Sequence, residues 1–547
     1  MILTEAQVAS LADRTLARVA PPPGYALVLE GSIAEGFGNS RSDVDFLLVA
    51  DQDADMPTMP TIFFIDGRRV EIRTRSVGQI AGHLREVAGY AGRSARRIAT
   101  LDEHLLNRCQ RLLHAYVVHR PELVAEVRGN LSHDDFATVM SRWWAEHARQ
   151  SARHAVLLTT LGEPGSAAVW ATAALQQAAK SWAARRGETY LEPKWLSLQL
   201  ERLDDDPLAG RCRTMLAAVP QAGNIREHLD LVAQLGVTGC ADDPHRLVVA
   251  RGNEVTTWQI DDRVHLVRDR RDVFVLGEDA ARVWRRVVWG RPVVDLLADA
   301  DRLGVPDAGE LVSAFHRYGL LRVTWQGTPI GPRLPMAAPL GAITPAPSTA
   351  TPVLSIAGAL PAHRRSIDLL PVPAGRFAAA AMALIWANVM IENAVEDLRG
   401  ALDQQQWGVA ALTTARAVNG GLRALLSAHG VSPLPPDPEL LHRLDLVPVT
   451  PARIRVLAER LYASAMPDIR LLQDFVTEVR AASGGGAFPS SFDSPDGWQR
   501  TLDIGYDWLR LGAYLDQELP LDEAQDLLSS GGVQPHVAAG GRLQEAS

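Results

Sequence analysis

Apolar and polar residues alternate with different periods along the chain, and the changes of period mark its parts. Residues 1–24 read as a short helix that Pro21-Pro22-Pro23 stops, because proline cannot continue a helical ladder. Tyr25 to Leu29 is an apolar run, followed by a Gly/Ser/Asn-rich stretch. Val44 to Val49 is apolar except for Asp45. Ile62 to Ile65, the pair Asp66-Gly67 and the alternating Arg69 to Arg73 then predict a hairpin, since Asp-Gly suits a tight two-residue turn. A small strand-rich unit with helices around it is expected here.

From residue 78 to 235 the period becomes helical. His104 to Val118, Phe136 to Thr159 and Ser166 to Arg186 are long amphipathic stretches, the last capped by Gly187. Residues 245–325 change again. Leu247 to Val249, Glu254 to Ile260, Arg263 to Val267 and Val273 to Leu276 alternate like short strands. Helical patterns follow at Glu278 to Val288, Val293 to Leu303 and Asp307 to Tyr318, and Leu320 to Trp325 reads as a closing strand. Residues 326–373 are rich in Pro, Ala and Thr and read as a linker. Residues 374–480 are helical once more, Trp498 to Leu515 predicts a last helix, and the tail from Gly531 should fray. The expected class is therefore a multidomain α+β protein. Its parts are a strand-rich head (1–100), a helical bundle (101–240), a winged-helix-sized module (245–325), a linker (326–373) and a second helical domain (374–530).

Composition narrows the function classes. A length of 547 residues is too long for one core, and the net charge of −9 disfavours a globally basic nucleic-acid binder. No apolar run is long enough to predict a membrane span, and the N-terminus carries acids where a signal core would be, so a cytoplasmic address is expected. Three cysteines, Cys109, Cys212 and Cys240, fit neither a zinc motif nor a disulfide framework and read as idle thiols. Lys180 and Lys194 are the only lysines in an Arg-rich chain. Arg142/His147 and Arg149/His154 share a spacing used by some helical nucleases, but solvated helix faces explain both.

The most informative stretch runs from Gly31 to Asp45. Asp43 and Asp45 are two apart on a predicted strand, so both carboxylates point to one face. Two such carboxylates repel unless a cation lies between them, which is what phosphoryl transfer on a metal-bound triphosphate needs. Gly31-Ser32 precedes them, and a glycine turn lets backbone N–H groups approach a phosphate. In Arg69 to Arg73, Val70 and Ile72 read as core-facing, so Glu71 faces the other way and can join the carboxylates if the two strands are neighbours.

Gly-Ser, ten residues, Asp-Val-Asp and a later isolated acid resemble the DNA polymerase beta-type nucleotidyltransferase superfamily over residues ~25–75. The resemblance implies transfer of a nucleoside monophosphate from an NTP, with ATP the expected donor, and release of pyrophosphate. It gives Gly31, Ser32 and Ser42 to the triphosphate, and Asp43, Asp45 and Glu71 to Mg²⁺ and catalysis. Relatives also bring a basic residue from the following helical domain to the triphosphate, a role for which Lys194 stands here.

Residues 245–325 resemble the pyrroloquinoline quinone peptide-chaperone family, whose members bind a leader peptide as an added strand. The strands Glu254 to Val267 are expected to offer the open edge. Arg317 is the only Arg or Lys in 307–318, which weighs against a DNA-reading helix. The acceptor is then a precursor peptide or something a peptide carries. A small-molecule acceptor of the antibiotic-modifying kind, and an inactive peptide-binding scaffold, stay open as alternatives.

Overall fold

The structure is a computed structural model. It describes residues 2–52, 60–239, 243–260, 263–268, 272–287, 290–326, 371–429, 431, 433–447, 452–464 and 466–483. Residues 327–370 of the expected linker, the helix at Trp498 to Leu515, the tail and Cys240 lie outside the described residues, and 371–373, expected as linker, already belong to a helix. The chain is mixed α+β and falls into two units: Met1–Phe315 with Leu320–Leu334 and Glu396–Leu412, and His316–Gly319 with Pro335–Val395 and Thr413–Ser547.

The first unit opens with α1 (Glu5–Leu16), started by a capping box between Thr4 and Gln7. β1 (Ala26–Glu30) runs into the single turn α2 (Gly31–Ala34), and β2 (Val44–Ala50) returns antiparallel to β1. β3 (Thr61–Ile65) and β4 (Arg68–Ser76) form the expected hairpin, with Asp66 and Gly67 both at positive φ. β4 then lies parallel to β2. Helices α3 (Val77–Ala88), α4 (Ala95–Ile98) and α5 (Glu103–Leu113) lead to β5 (Tyr116–His119), which pairs with the far edge of β1. The sheet order is β3-β4-β2-β1-β5.

The long helix expected at His104 to Val118 is thus a helix and a strand. Tyr116-Val117-Val118 is β-branched and aromatic, and pairing with β1 offers it ladder bonds that one more helical turn could not match.

Alternation along the strands divides the core in two. Leu27, Leu29, Val44, Phe46, Leu48, Val70 and Ile72 pack with Val8 and Ala12 of α1 on one face. Ala26, Val28, Leu47 and Val49 pack on the other face against α3 and α5, together with α6 (Pro121–Arg128) and α7 (His133–Thr160). α7 pairs along its length with α8 (Pro164–Ala184). The bundle closes with α9 (Leu196–Arg202), α10 (Pro207–Ala217) and α11 (Ile225–Gln234).

β6 (Leu247–Arg251), β7 (Val255–Ile260), β8 (Arg263–Arg268) and β9 (Asp272–Leu276) occupy the expected positions. They do not form one sheet. β7, β8 and β9 make an antiparallel meander, while β6 pairs with β10 (Arg291–Pro292) and β11 (Leu321–Trp325). Helices α12 (Glu278–Arg286), α13 (Val293–Arg302) and α14 (Ala308–Arg317) lie between. Val264 pairs with both Gln259 and Leu276, so β8 is the central strand and the outer strands of this meander are β7 and β9.

The second unit is helical. It takes the first part of α15 (Pro371–Asp403), most of α16 (Trp407–Ala428), α17 (Ala452–Tyr462) and α18 (Ile469–Ala482). Gly421 lies so close to Phe475 that a Cβ would collide with the ring, which fixes the approach of α16 and α18. No helix among the described residues is long and apolar enough to cross a membrane.

Candidate active site

The parallel register of β2 and β4 sets Asp45 opposite Glu71, and the antiparallel register of β1 and β2 sets Asp45 opposite Glu30. Three carboxylates therefore stand abreast on neighbouring strands, about 5 Å apart. They share the sheet face that carries Leu47 and Val49. Asp43, two residues before Asp45, belongs to the same face. The expected juxtaposition of Asp45 and Glu71 is present. Glu30 was missed although it directly precedes Gly31; a lone acid ending an apolar strand gives no local signal.

Gly31 closes this row from one side. Its φ is +81°, and a Cβ there would meet Asp45 Oδ2 at 2.5 Å, so only glycine lets the turn lie against that carboxylate. The Ser32 carbonyl accepts from Phe37 and Gly38 N–H at 2.9 and 2.8 Å, which folds the next residues into a tight loop. The Ser32 side chain is half-buried. Ser42 is not brought to the row. Its buried hydroxyl accepts from Asn39 N–H at 2.9 Å and lies 3.3 Å from Asn39 Oδ1, which ties the loop before β2.

Each carboxylate has an arginine. Arg69 pairs with Asp43, Arg73 Nη2 lies 2.5 Å from Glu71 Oε1, and Arg111 Nη1 reaches Glu30 Oε1 at 3.2 Å and Asp45 Oδ2 at 3.4 Å. Burial pushes the Asp45 carboxyl above its ordinary range; Arg111 opposes this and Glu71 adds to it. Among the described residues, no three His, Cys, Asp or Glu side chains converge as a metal cage. The donor chemistry nevertheless suits Mg²⁺, which prefers one or two carboxylates completed by substrate phosphates over an all-protein cage.

Lys194 sits in the 3₁₀ turn Pro193–Trp195. Its Nζ lies 2.5 Å from Asp397 Oδ2 and 3.3 Å from Glu192 Oε2, and 5.1 Å from the Trp195 ring centroid. Glu192 is close enough to act electrostatically on Asp45 and Arg111, and Glu396 and Asp397 act on Arg69. The loop before α9 and the last turns of α15 thus carry further acids to the edge of the row, from positions more than a hundred residues away in sequence.

A second group of titratable side chains lies behind the turn. Burial pushes Glu35 up to about 8 and Lys180 down to about 7. Lys180 is fully buried, and its Nζ donates to Tyr190 O, Glu192 O and Gln199 Oε1 at 2.8, 2.9 and 2.6 Å. It holds the loop that carries Glu192 and Lys194 and is no surface lysine. Burial also pushes Cys109 and Cys212 up to about 12, which keeps both thiols protonated and inert. His154 is buried and His147 half-buried in α7 among Trp143, Trp144 and Trp170, so neither lies on the solvated helix face expected for it.

A scan against protein-family models finds none that matches this chain, and no curated protein sequence matches it. The functional reading therefore rests on the residues and geometry above.

Proposed function

We propose that the chain is a Mg²⁺-dependent nucleotidyltransferase that moves a nucleoside monophosphate from an NTP to an acceptor and releases pyrophosphate. The observation that carries this reading is the glycine turn lying against Asp45, with Glu71 opposite it on the parallel strand. Asp43 and Asp45 would hold the ion, which supplies positive charge against the triphosphate oxygens. Gly31 and Ser32 offer the turn for those phosphates. Glu71 would accept the acceptor's proton or hold the ion from the third side. Arg69, Arg73 and Arg111 neutralise the carboxylates in the resting chain, and each guanidinium can turn to a phosphate oxygen when nucleotide arrives.

The acceptor in this reading is a peptide or something a peptide holds. The meander β7–β9 followed by three helices supports it, since main-chain ladder bonds on an outer strand can receive an extended peptide. Trp258 on β7 is 58% exposed, an apolar anchor beside such a strand. A second reading, a binding scaffold without turnover, is favoured by one observation: all three expected carboxylates are already arginine-paired.

Mass spectrometry of the full chain with each NTP, Mg²⁺ and candidate peptides tests both. A nucleoside monophosphate adduct on a peptide, or pyrophosphate release, is the expected result. Nucleotide binding without any turnover points to the scaffold.

A further inference from the structure

Beneath the carboxylate row, between β4, α3 and α5, the first unit has a pocket of a different charge. Arg73 and Arg75 line it from β4, Arg108 and Arg111 from α5, and Glu30 is its one carboxylate. Arg73 and Arg111 are already bonded to Glu71 and Glu30. Arg75 and Arg108 have no hydrogen-bonding or ion-pair partner among the described residues. Arg75 is 7% exposed, and besides burial the like charges of Arg108 and Arg73 act on it, opposed by the smaller pull of Glu30.

Arg75 is buried and Arg108 stands at the exposed rim of the pocket, and two like charges so placed, neither bonded to a carboxylate, repel each other. A sheet face could carry aliphatic residues at Arg75 as β2 does at Val49, its partner in register. A doubly charged oxyanion resolves the arrangement, since each planar fork can give it two parallel hydrogen bonds. The cavity volume is about 30 Å³, room for two or three waters, and so for one tetrahedral oxyanion and not for a nucleoside. Asn107 and His83 also line it. Desolvation and the charges of Arg108 and Arg75 keep the His83 ring neutral, which leaves it one N–H to donate.

We infer that this pocket binds a phosphoryl dianion through Arg75 and Arg108. Glu71 and Arg75 are four residues apart on β4, about 13 Å between Cα atoms at strand rise. If the carboxylate row transfers nucleotides as proposed, that spacing suits a phosphate-bearing acceptor, on a peptide or held by one, whose phosphate is bound here while its nucleophile faces Glu71. The phosphate-binding claim itself does not depend on turnover.

The test uses the full chain in EDTA at constant ionic strength, titrated with inorganic phosphate and, separately, with glycerol 3-phosphate, read by calorimetry and thermal shift. Both probes should bind, the monoester more tightly if the pocket serves an acceptor and inorganic phosphate more tightly if it serves a free ion. Arg108→Gln, on the exposed side of α5, should weaken binding at least tenfold, and Arg75→Lys similarly. Arg108→Glu should raise Tm in phosphate-free buffer and abolish the phosphate response, because its carboxylate reaches Arg75. Asp43→Asn should keep phosphate binding whatever it does to nucleotide turnover, which separates this claim from the transferase reading. The inference is overturned if phosphate stabilises no more than chloride of equal ionic strength, or if Arg108→Gln binds like the wild type. If Arg75→Lys fails to fold, the two Arg108 variants decide.

Discussion

The two faces of the five-stranded sheet are built from the same strands and do opposite things. On the α1 side, Leu27, Leu29, Val44, Phe46, Leu48, Val70 and Ile72 are all buried and all apolar. On the other side β1 and β2 begin apolar with Ala26, Val28, Leu47 and Val49, and then the face turns to Glu30, Asp45, Glu71, Arg73 and Arg75. β4 alone shows the contrast: Val70 and Ile72 point one way, Glu71, Arg73 and Arg75 the other. Removing a charge from water costs several kcal/mol even when it is paired. An aliphatic face would hold the helices at least as well, so the charged face is not there to stabilise the fold.

The largest expected effect comes from the charged side. Asp45→Asn or Asp43→Asn should lower turnover about a thousandfold or more, because a metal's charge is worth several kcal/mol in the transition state. Thermal unfolding should change little, since no core volume is lost. Near-normal turnover in both variants would remove these carboxylates from the site.

The α1 side should behave in the reverse way. Phe46 is 1% exposed and stands one residue from Asp45 on the opposite face. Phe46→Ala should cost about 3–5 kcal/mol of stability, seen as a lower denaturant midpoint, while turnover per folded molecule stays close to normal. A large loss of kcat at full stability would mean that the two faces are not separable.

Glu71→Gln tests which of its two roles Glu71 plays. As a base it should lower kcat by about a hundredfold or more with nucleotide binding retained. A loss of affinity with kcat preserved would make it a ligand of the ion. A change below about threefold in both would return it to a charge that only balances Arg73.

The β3–β4 hairpin and the outward face of Glu71 were legible because they depend on period and on one turn, while the pairing of β4 with β2 entered only as a condition and β5 was read as helix. Asp66-Gly67 sets the hairpin, and alternation from Val70 to Ile72 fixes where Glu71 faces. The arginines were visible as residues but not as partners. Arg111 comes from a helix whose phase against β1 no local pattern gives, and Asp397 reaches Lys194 across 203 positions. The meander was misread for a similar reason. Short strands announce themselves by alternation, but which of them is central depends on pairing: of the 254–267 stretch expected to offer the open edge, β7 is an outer strand and β8 the central one, so Val264→Pro would break the middle of that sheet.

The smallest expected effect concerns pH and sharpens the contrast from behind the turn. Glu35 follows α2 as its cap, accepts a hydrogen bond from Gln110 and has His114 Nδ1 3.7 Å from its other oxygen. Burial raises Glu35 from 4.5 to about 8 and lowers His114 to about 4, so near neutrality the folded chain holds both uncharged. Between pH 4.5 and 8 the unfolded chain has released the Glu35 proton and the folded chain retains it. The Glu35 contribution to stability therefore falls as pH rises through that window, by on the order of 2 kcal/mol once partial exposure is allowed for. Lys180, lowered from 10.5 to about 7, works the other way: above pH 7 the unfolded chain binds the extra proton, and stability recovers toward pH 10. Glu35→Gln keeps an oxygen for Gln110 and removes the titration. His114 and His147, both lowered to about 4, pull stability up between pH 5 and 6.5 in either chain, so Glu35 is read from the difference between the two. The Tm of the variant relative to the wild type should climb as pH rises from 5 to 7, and the variant should keep the rise above pH 7 that belongs to Lys180. A difference that stays constant from pH 5 to 7 would show that Glu35 is ionised in the folded chain and that the turn behind Gly31 tolerates a charge.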